Sequence, residues 1–251
     1  MMDYPVIFFA VSMLVLWSAE QAGGYLHKRQ QDLEEAEQKD LDVILTATLT
    51  LLGLIIGFTF SMAVNRYDLR KNYEEAEANA IGTEYFRAGL LPASEASKVR
   101  ELLMSYVRQR VLFYTTRNAR ELDKVNTSTA RLQSDLWSVV QARAEAQPTP
   151  VMAVVVAGMS DVLNSQGFTQ AAWWNRIPAA AWALMGAIAI CGTLLLGFTS
   201  RRYDAKTTRS WILPLIVSIS FFLIADLDAP RAGVIRVRPQ NLMTLYSLGA
   251  P

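Results

Sequence analysis

The chain has 251 residues, 52% of them hydrophobic and 19% charged, with a formal net charge of +1. That near-neutral balance offers no basic face for nucleic acid. One histidine, His27, and one cysteine, Cys191, cannot build a His/Cys zinc site or an intrachain disulfide. A Ser-His-Asp triad would have to use His27, set in a charged loop. Cys191 lies in an apolar run and reads as a small packing residue. Neither a metal nor another cofactor is expected, and enzymatic chemistry is disfavoured.

In chain order, the first apolar segment is Tyr4–Ala19, 16 residues between Asp3 and Glu20. No Lys or Arg precedes it and Ser18-Ala19-Glu20 is a poor cleavage site, so it reads as a helix and not a signal peptide. The second, Val43–Val64, runs 22 residues without a charge. As a helix it would be roughly 33 Å long, enough to cross a bilayer's hydrocarbon core. A third, Ile177–Ser200, has 24 residues, and a fourth, Ser210–Ala225, has 16. The short pair can span where the bilayer thins or flanking side chains snorkel.

Between the second and third segments lies a helical, water-soluble insert. Arg66–Arg87 continues the second span without a breaker, and its Glu74, Glu75, Glu77 and Glu84 read mostly as a solvated face. Leu91-Pro92 ends it, and Ser94 is the expected N-cap of the next helix. There Val99, Leu102, Leu103, Tyr106, Val107 and Phe113 recur at helical spacing. A further helix from Ala119 to Ala146 would bury Leu122, Val125, Leu132, Leu136, Val139 and Val140, and stops at Pro148-Thr149-Pro150. Val151–Leu163 is apolar but short, as buried helices are. The expected architecture is all-α and polytopic, with four transmembrane helices. Its parts are 1–65 (spans one and two), 66–176 (insert), 177–226 (spans three and four) and 227–251 (tail).

The second span carries the candidate functional residues. Gly53, Gly57 and Ser61 are four apart and share one face, where small side chains let helix backbones approach closely. That approach is either packing within one chain or packing between subunits about an axis. Thr46, Thr48, Thr50, Thr59 and Ser61 either bond back to their own helix or wet a pore lined with Phe58 and Met62. An echo joins the inner spans: Leu54-x-x-Gly57-Phe58-Thr59 before Arg66-Tyr67-Asp68, and Leu194-x-x-Gly197-Phe198-Thr199 before Arg202-Tyr203-Asp204. It is either chance or a relic of duplication. Asp226, Asp228 and Arg231 end the last span. They form an interfacial salt bridge and cap, or a charged pore mouth that selects ions by sign. Arg66, Asp68 and Arg202 are the other membrane-boundary charges. Basic residues flank both sides evenly, and discounting the long insert leans the termini and insert outward.

Two stretches resemble a bacterial family of multi-pass membrane proteins labelled bestrophin-like. One is Gly57-Phe58-Thr59 through Arg66-Tyr67-Asp68 to Glu77-Ala78-Asn79-Ala80-Ile81-Gly82-Thr83. The other, more specific, is Ile224-Ala225-Asp226-Leu227-Asp228-Ala229-Pro230-Arg231-Ala232-Gly233-Val234-Ile235-Arg236-Val237. The chain departs from the pattern at Leu163-Asn164-Ser165-Gln166-Gly167-Phe168, where a helix-breaking Gly replaces an expected charged helix. The resemblance implies a pentameric anion channel with four spans per subunit and a cytosolic helical part. Its partners would be the bilayer of the bacterial inner membrane, further copies of the chain and inorganic ions. The alternative is a non-conducting scaffold or sensor whose insert binds a partner.

Overall fold

A computed structural model describes residues 4–29, 35–200 and 208–248. Among them are eight α-helices and no strand: α1 (Pro5–Arg29), α2 (Glu35–Arg87), α3 (Ala93–Thr115), α4 (Ala119–Ala146), α5 (Pro150–Trp174), α6 (Ala179–Thr199), α7 (Ile212–Asp228) and α8 (Gln240–Leu248). The all-α class is as the sequence implies. Among the described residues, three stretches are long and apolar enough to cross a membrane: Pro5–Arg29, Ala36–Leu90 and Pro150–Thr199. The apolar α7 has 17 residues. The chain divides into two compact units, Met1–Arg66 with Arg176–Ile235, and Tyr67–Asn175 with Arg236–Pro251.

In the first unit α1 packs on α6 and α7. Phe8 meets Trp182 edge-on, with ring centroids 5.1 Å apart, and Trp17 stacks on Trp211 at 5.0 Å. α1 runs 25 residues, well past the 16-residue apolar core. Its added turns include Gly23 and Gly24, each costing about 1 kcal/mol in a helix interior relative to Ala. Close packing offsets that cost. A Cβ at Gly23 would collide with the Leu194 carbonyl of α6, and one at Gly197 with the Glu20 carbonyl of α1. His27, expected in a loop, therefore sits on α1, edge-on to the Phe198 ring at 5.7 Å. Cys191 does not pack: it is exposed on α6.

The second unit is built from α3, α4, α5, α8 and the C-terminal part of α2. The stripe on α3 is buried through Val99, Leu103, Tyr106, Val107 and Phe113. On α4, Val125, Leu136 and Val140 are buried, while Leu122, Leu132 and Val139 pack partly buried against the same core. α4 occupies the expected residues, capped by Asn118, whose side chain accepts from the Arg120 N–H at 2.9 Å.

Three expectations fail here. Pro92, not Ser94, occupies the N-cap of α3, so the fixed φ of proline starts the helix without a side-chain cap. α5 does not stop near Gly167 but continues to Trp174, giving 25 residues. The cost of one helical glycine is offset by anchors beyond it: Phe168 stacks on Tyr73 at 6.0 Å, and Trp173 tilts against Phe113 at 5.0 Å. Third, Glu74, Glu77 and Glu84 are not solvated; all three are buried, and of the four acids only Glu75 is exposed.

Candidate functional site

Within residues 43–64, α2 has two distinct sides. Leu52, Thr59 and Ala63, spaced seven and four apart, form a buried stripe. Leu49 and Thr48 reach the place a Cβ would take at Gly192 of α6, at 3.2 and 3.6 Å. The opposite side is open. Gly53, Gly57, Ser61 and Met62 are exposed, Phe58 is 64% exposed, and nothing lies within 4 Å of a Cβ built on Gly53 or Gly57. The small-residue ridge does not pack within its own chain. Thr59 separates from these residues, since it lies on the buried stripe.

Four of the five hydroxyls follow the local account. Thr46, Thr48, Thr50 and Thr59 donate to the carbonyls of Asp42, Ile44, Thr46 and Ile55, each at 2.8 Å. A hydroxyl satisfied in this way adds little polarity to its surroundings, so the open side is mainly apolar. Val43, Leu51 and Leu54 are exposed beside the ridge.

Three of the boundary charges, Arg66, Asp226 and Asp228, are tied into the first unit. Both oxygens of buried Asp226 accept backbone N–H bonds, from Val234 at 2.7 Å and Ile235 at 2.8 Å. They fold the chain back after α7, and Gly233 is required there because a Cβ would collide with the Asp226 carbonyl. Asp228 Oδ1 accepts the Ile177 N–H at 3.0 Å and faces Arg66 Nη1 at 3.7 Å. Arg231 is half-buried and Asp68 exposed. Arg202, with Tyr203 and Asp204 of the second copy of the echo, lies outside the described residues. The two echo glycines also differ, Gly57 facing open space and Gly197 the α1 backbone.

A second group of charged residues was missed from the sequence. In the second unit, α2 buries Arg70, Glu74, Glu77, Ile81 and Glu84, and Ala88 in the turn that follows continues the row. Their alternating steps of four and three form a helix-packing seam, occupied mostly by charges. Arg70 donates to carbonyls at the end of α5, Nε to Ala172 in its last turn at 3.2 Å and Nη2 to the C-cap residue Asn175 at 3.4 Å. Glu74 caps α8, accepting from the Leu242 N–H at 3.0 Å and from Asn241 Nδ2 at 2.7 Å. Glu77 pairs with fully buried Arg110 of α3 and accepts from the Thr169 hydroxyl at 3.1 Å. Tyr114 also donates to Glu77, at 3.4 Å. Burial, and then the Glu77 charge, push the Tyr114 hydroxyl far above its ordinary pKa, so it remains a donor. The spacing of the acids was the available signal; their charge hid it. Among the described residues no group of three or more His, Cys, Asp or Glu side chains is placed to hold a metal ion.

A family model described as a bestrophin-like domain matches residues 6–242. The chain belongs to the bestrophin-like family. No curated protein matches it in sequence. Its fold is similar to that of a bacterial bestrophin homologue from Klebsiella pneumoniae. One point variant of that protein aligns with TM-score 0.64 at 13% identity, over 98% of this chain and 97% of the other. A second variant gives 0.62 at 13%, over 96% and 98%. A structure described as a membrane protein variant gives 0.61 at 13%, over 98% and 96%. In this bestrophin-like chain, the two stretches that carried the resemblance contain Glu77, partner of Arg110, and the turn organised by Asp226 and Gly233.

Proposed function

We propose that the protein is a homo-oligomeric ion channel of the bacterial inner membrane, anion-conducting and pentameric by analogy with bestrophins, in which α2 lines the pore. Four helices, α1, the apolar part of α2, α6 and α7, span the bilayer in this reading. The observation that carries it is the open side of α2. A helix with one face packed on α6 and the other exposing Gly53, Gly57, Phe58, Ser61 and Met62 is incomplete as a single chain. Lipid provides no hydrophobic drive for helices to associate, so a smooth small-residue face is suited to another helix, here from a sister subunit. The Phe58 ring and Met62, pointing to the axis of such an assembly, would form an apolar constriction of the kind that gates by dewetting. Asp226 and Asp228 then hold the pore-helix boundary in shape through Ile177, Arg66 and the returning tail, and do not line the mouth.

Flux through proteoliposomes tests the reading. Wild-type protein should carry a small anion such as chloride, and Phe58→Ala should raise the rate by widening the constriction. Incorporated protein without flux at any voltage or pH overturns it in favour of the scaffold.

A further inference from the structure

The charged seam of α2 gives three of its members a partner on another element and leaves one without. Glu84 is completely buried, and among the described residues neither carboxyl oxygen has a hydrogen-bond partner. Across from it α5 presents Gly158, and Glu84 Oε2 occupies the position a Cβ there would take. The notch left by the missing side chain is thus filled by a carboxyl group, with Arg87 Nη1 at its edge.

The charges around it are few. Arg87, on its own helix, favours the ionised form, and Asp161 of α5 opposes it. From α3, Arg100 is directed elsewhere, donating to the Tyr85 carbonyl at 3.2 Å and reaching toward Gly89. From α4, Arg143 is paired with Glu95 at 3.4 Å. Burial outweighs Arg87, and with Asp161 it raises the Glu84 carboxyl from 4.5 to about 7. A buried acid without hydrogen bonds is better accommodated neutral than charged.

We propose that Glu84 is a proton-binding site through which pH controls the seating of α5 on α2: the neutral acid fills the notch at Gly158, and the carboxylate withdraws from it toward Arg87 and water. The site makes the second unit proton-sensitive close to neutrality. It rests on that unit's own packing and is independent of whether the protein conducts.

The experiment uses the full-length protein in detergent micelles, so that no flux is read. Infrared difference spectra between about pH 6 and pH 8 should show a protonated carboxyl band titrating with a midpoint of about 7. The band should be absent in Glu84→Gln and in Gly158→Ala, where a methyl group takes the notch. Amide exchange of residues 155–162, corrected for intrinsic rate, should rise about tenfold in the wild type one pH unit above the midpoint. In Glu84→Gln it should stay flat. A wild-type spectrum with no carboxyl titrating in that window overturns the proposal even if a variant fails to fold. So does equal pH dependence of exchange in wild type and Glu84→Gln.

Discussion

Arg110 shows how charge is used at the scale of single residues. Its guanidinium is fully buried, pairs with Glu77, and lies 4.3 Å from the centroid of the Phe113 ring. Removing one member of a buried pair strands the other charge, at a cost of about 3–5 kcal/mol, whereas replacing both with apolar groups of similar size is often nearly neutral. Arg110→Ala should therefore lower stability to denaturant by about that amount. The pair Arg110→Met with Glu77→Leu should recover most of it, less the acceptor that Thr169 and Tyr114 lose. Equal losses in the single and double variants would show that packing, not stranded charge, sets the cost. None of this was legible from composition. A glutamate on a helix next to Lys and Arg is ordinarily exposed, and only the four-three spacing of Arg70, Glu74, Glu77, Ile81, Glu84 and Ala88 marks the seam.

At the scale of elements, contrast determined what could be read. α4 alternates charged and apolar positions, begins after Asn118 and stops before Pro148, so its boundaries and stripe follow from the residues. The apolar part of α2 lacks such contrast. Hydroxyls and large aliphatics occur all around it, and sequence alone could not tell that Thr59 lies on the packed side and Ser61 on the open one. α1 was underestimated because hydropathy ends at Glu20 while the helix does not. Its last turns are held by backbone contact with α6, where Gly23 and Gly197 allow an approach no Cβ would permit. Gly197→Ala should push the two helices apart and lower thermal stability in detergent, by about 1–3 kcal/mol as overpacking costs. Gly53→Ala, with open space beyond it, should lower stability not at all and can raise it by up to about 1 kcal/mol through helix propensity. If both variants melt alike, the close crossing of α1 and α6 is not what holds α1 in place.

For the molecule as a whole, the question is what covers the open side of α2. Val43, Leu51, Leu54, Phe58 and Met62 are each more than 40% exposed there. Lipid could cover the large aliphatics, but it gains little from Gly53, Gly57 and Ser61, whose value lies in admitting another backbone. The assembly reading therefore predicts a variant that spares the chain and breaks the oligomer. Gly57→Leu places a bulky side chain where a single chain has nothing within 4 Å, so secondary structure and the packing of α1 on α6 should be unchanged. Native mass spectrometry of the wild type should show one discrete multimer, and Gly57→Leu should shift it to smaller species with flux lost in parallel. A wild-type protein that is monomeric in both mild detergent and nanodiscs would remove the reason for placing α2 at an axis. A multimer indifferent to Gly57→Leu would move the contact to another face and leave α2 facing lipid.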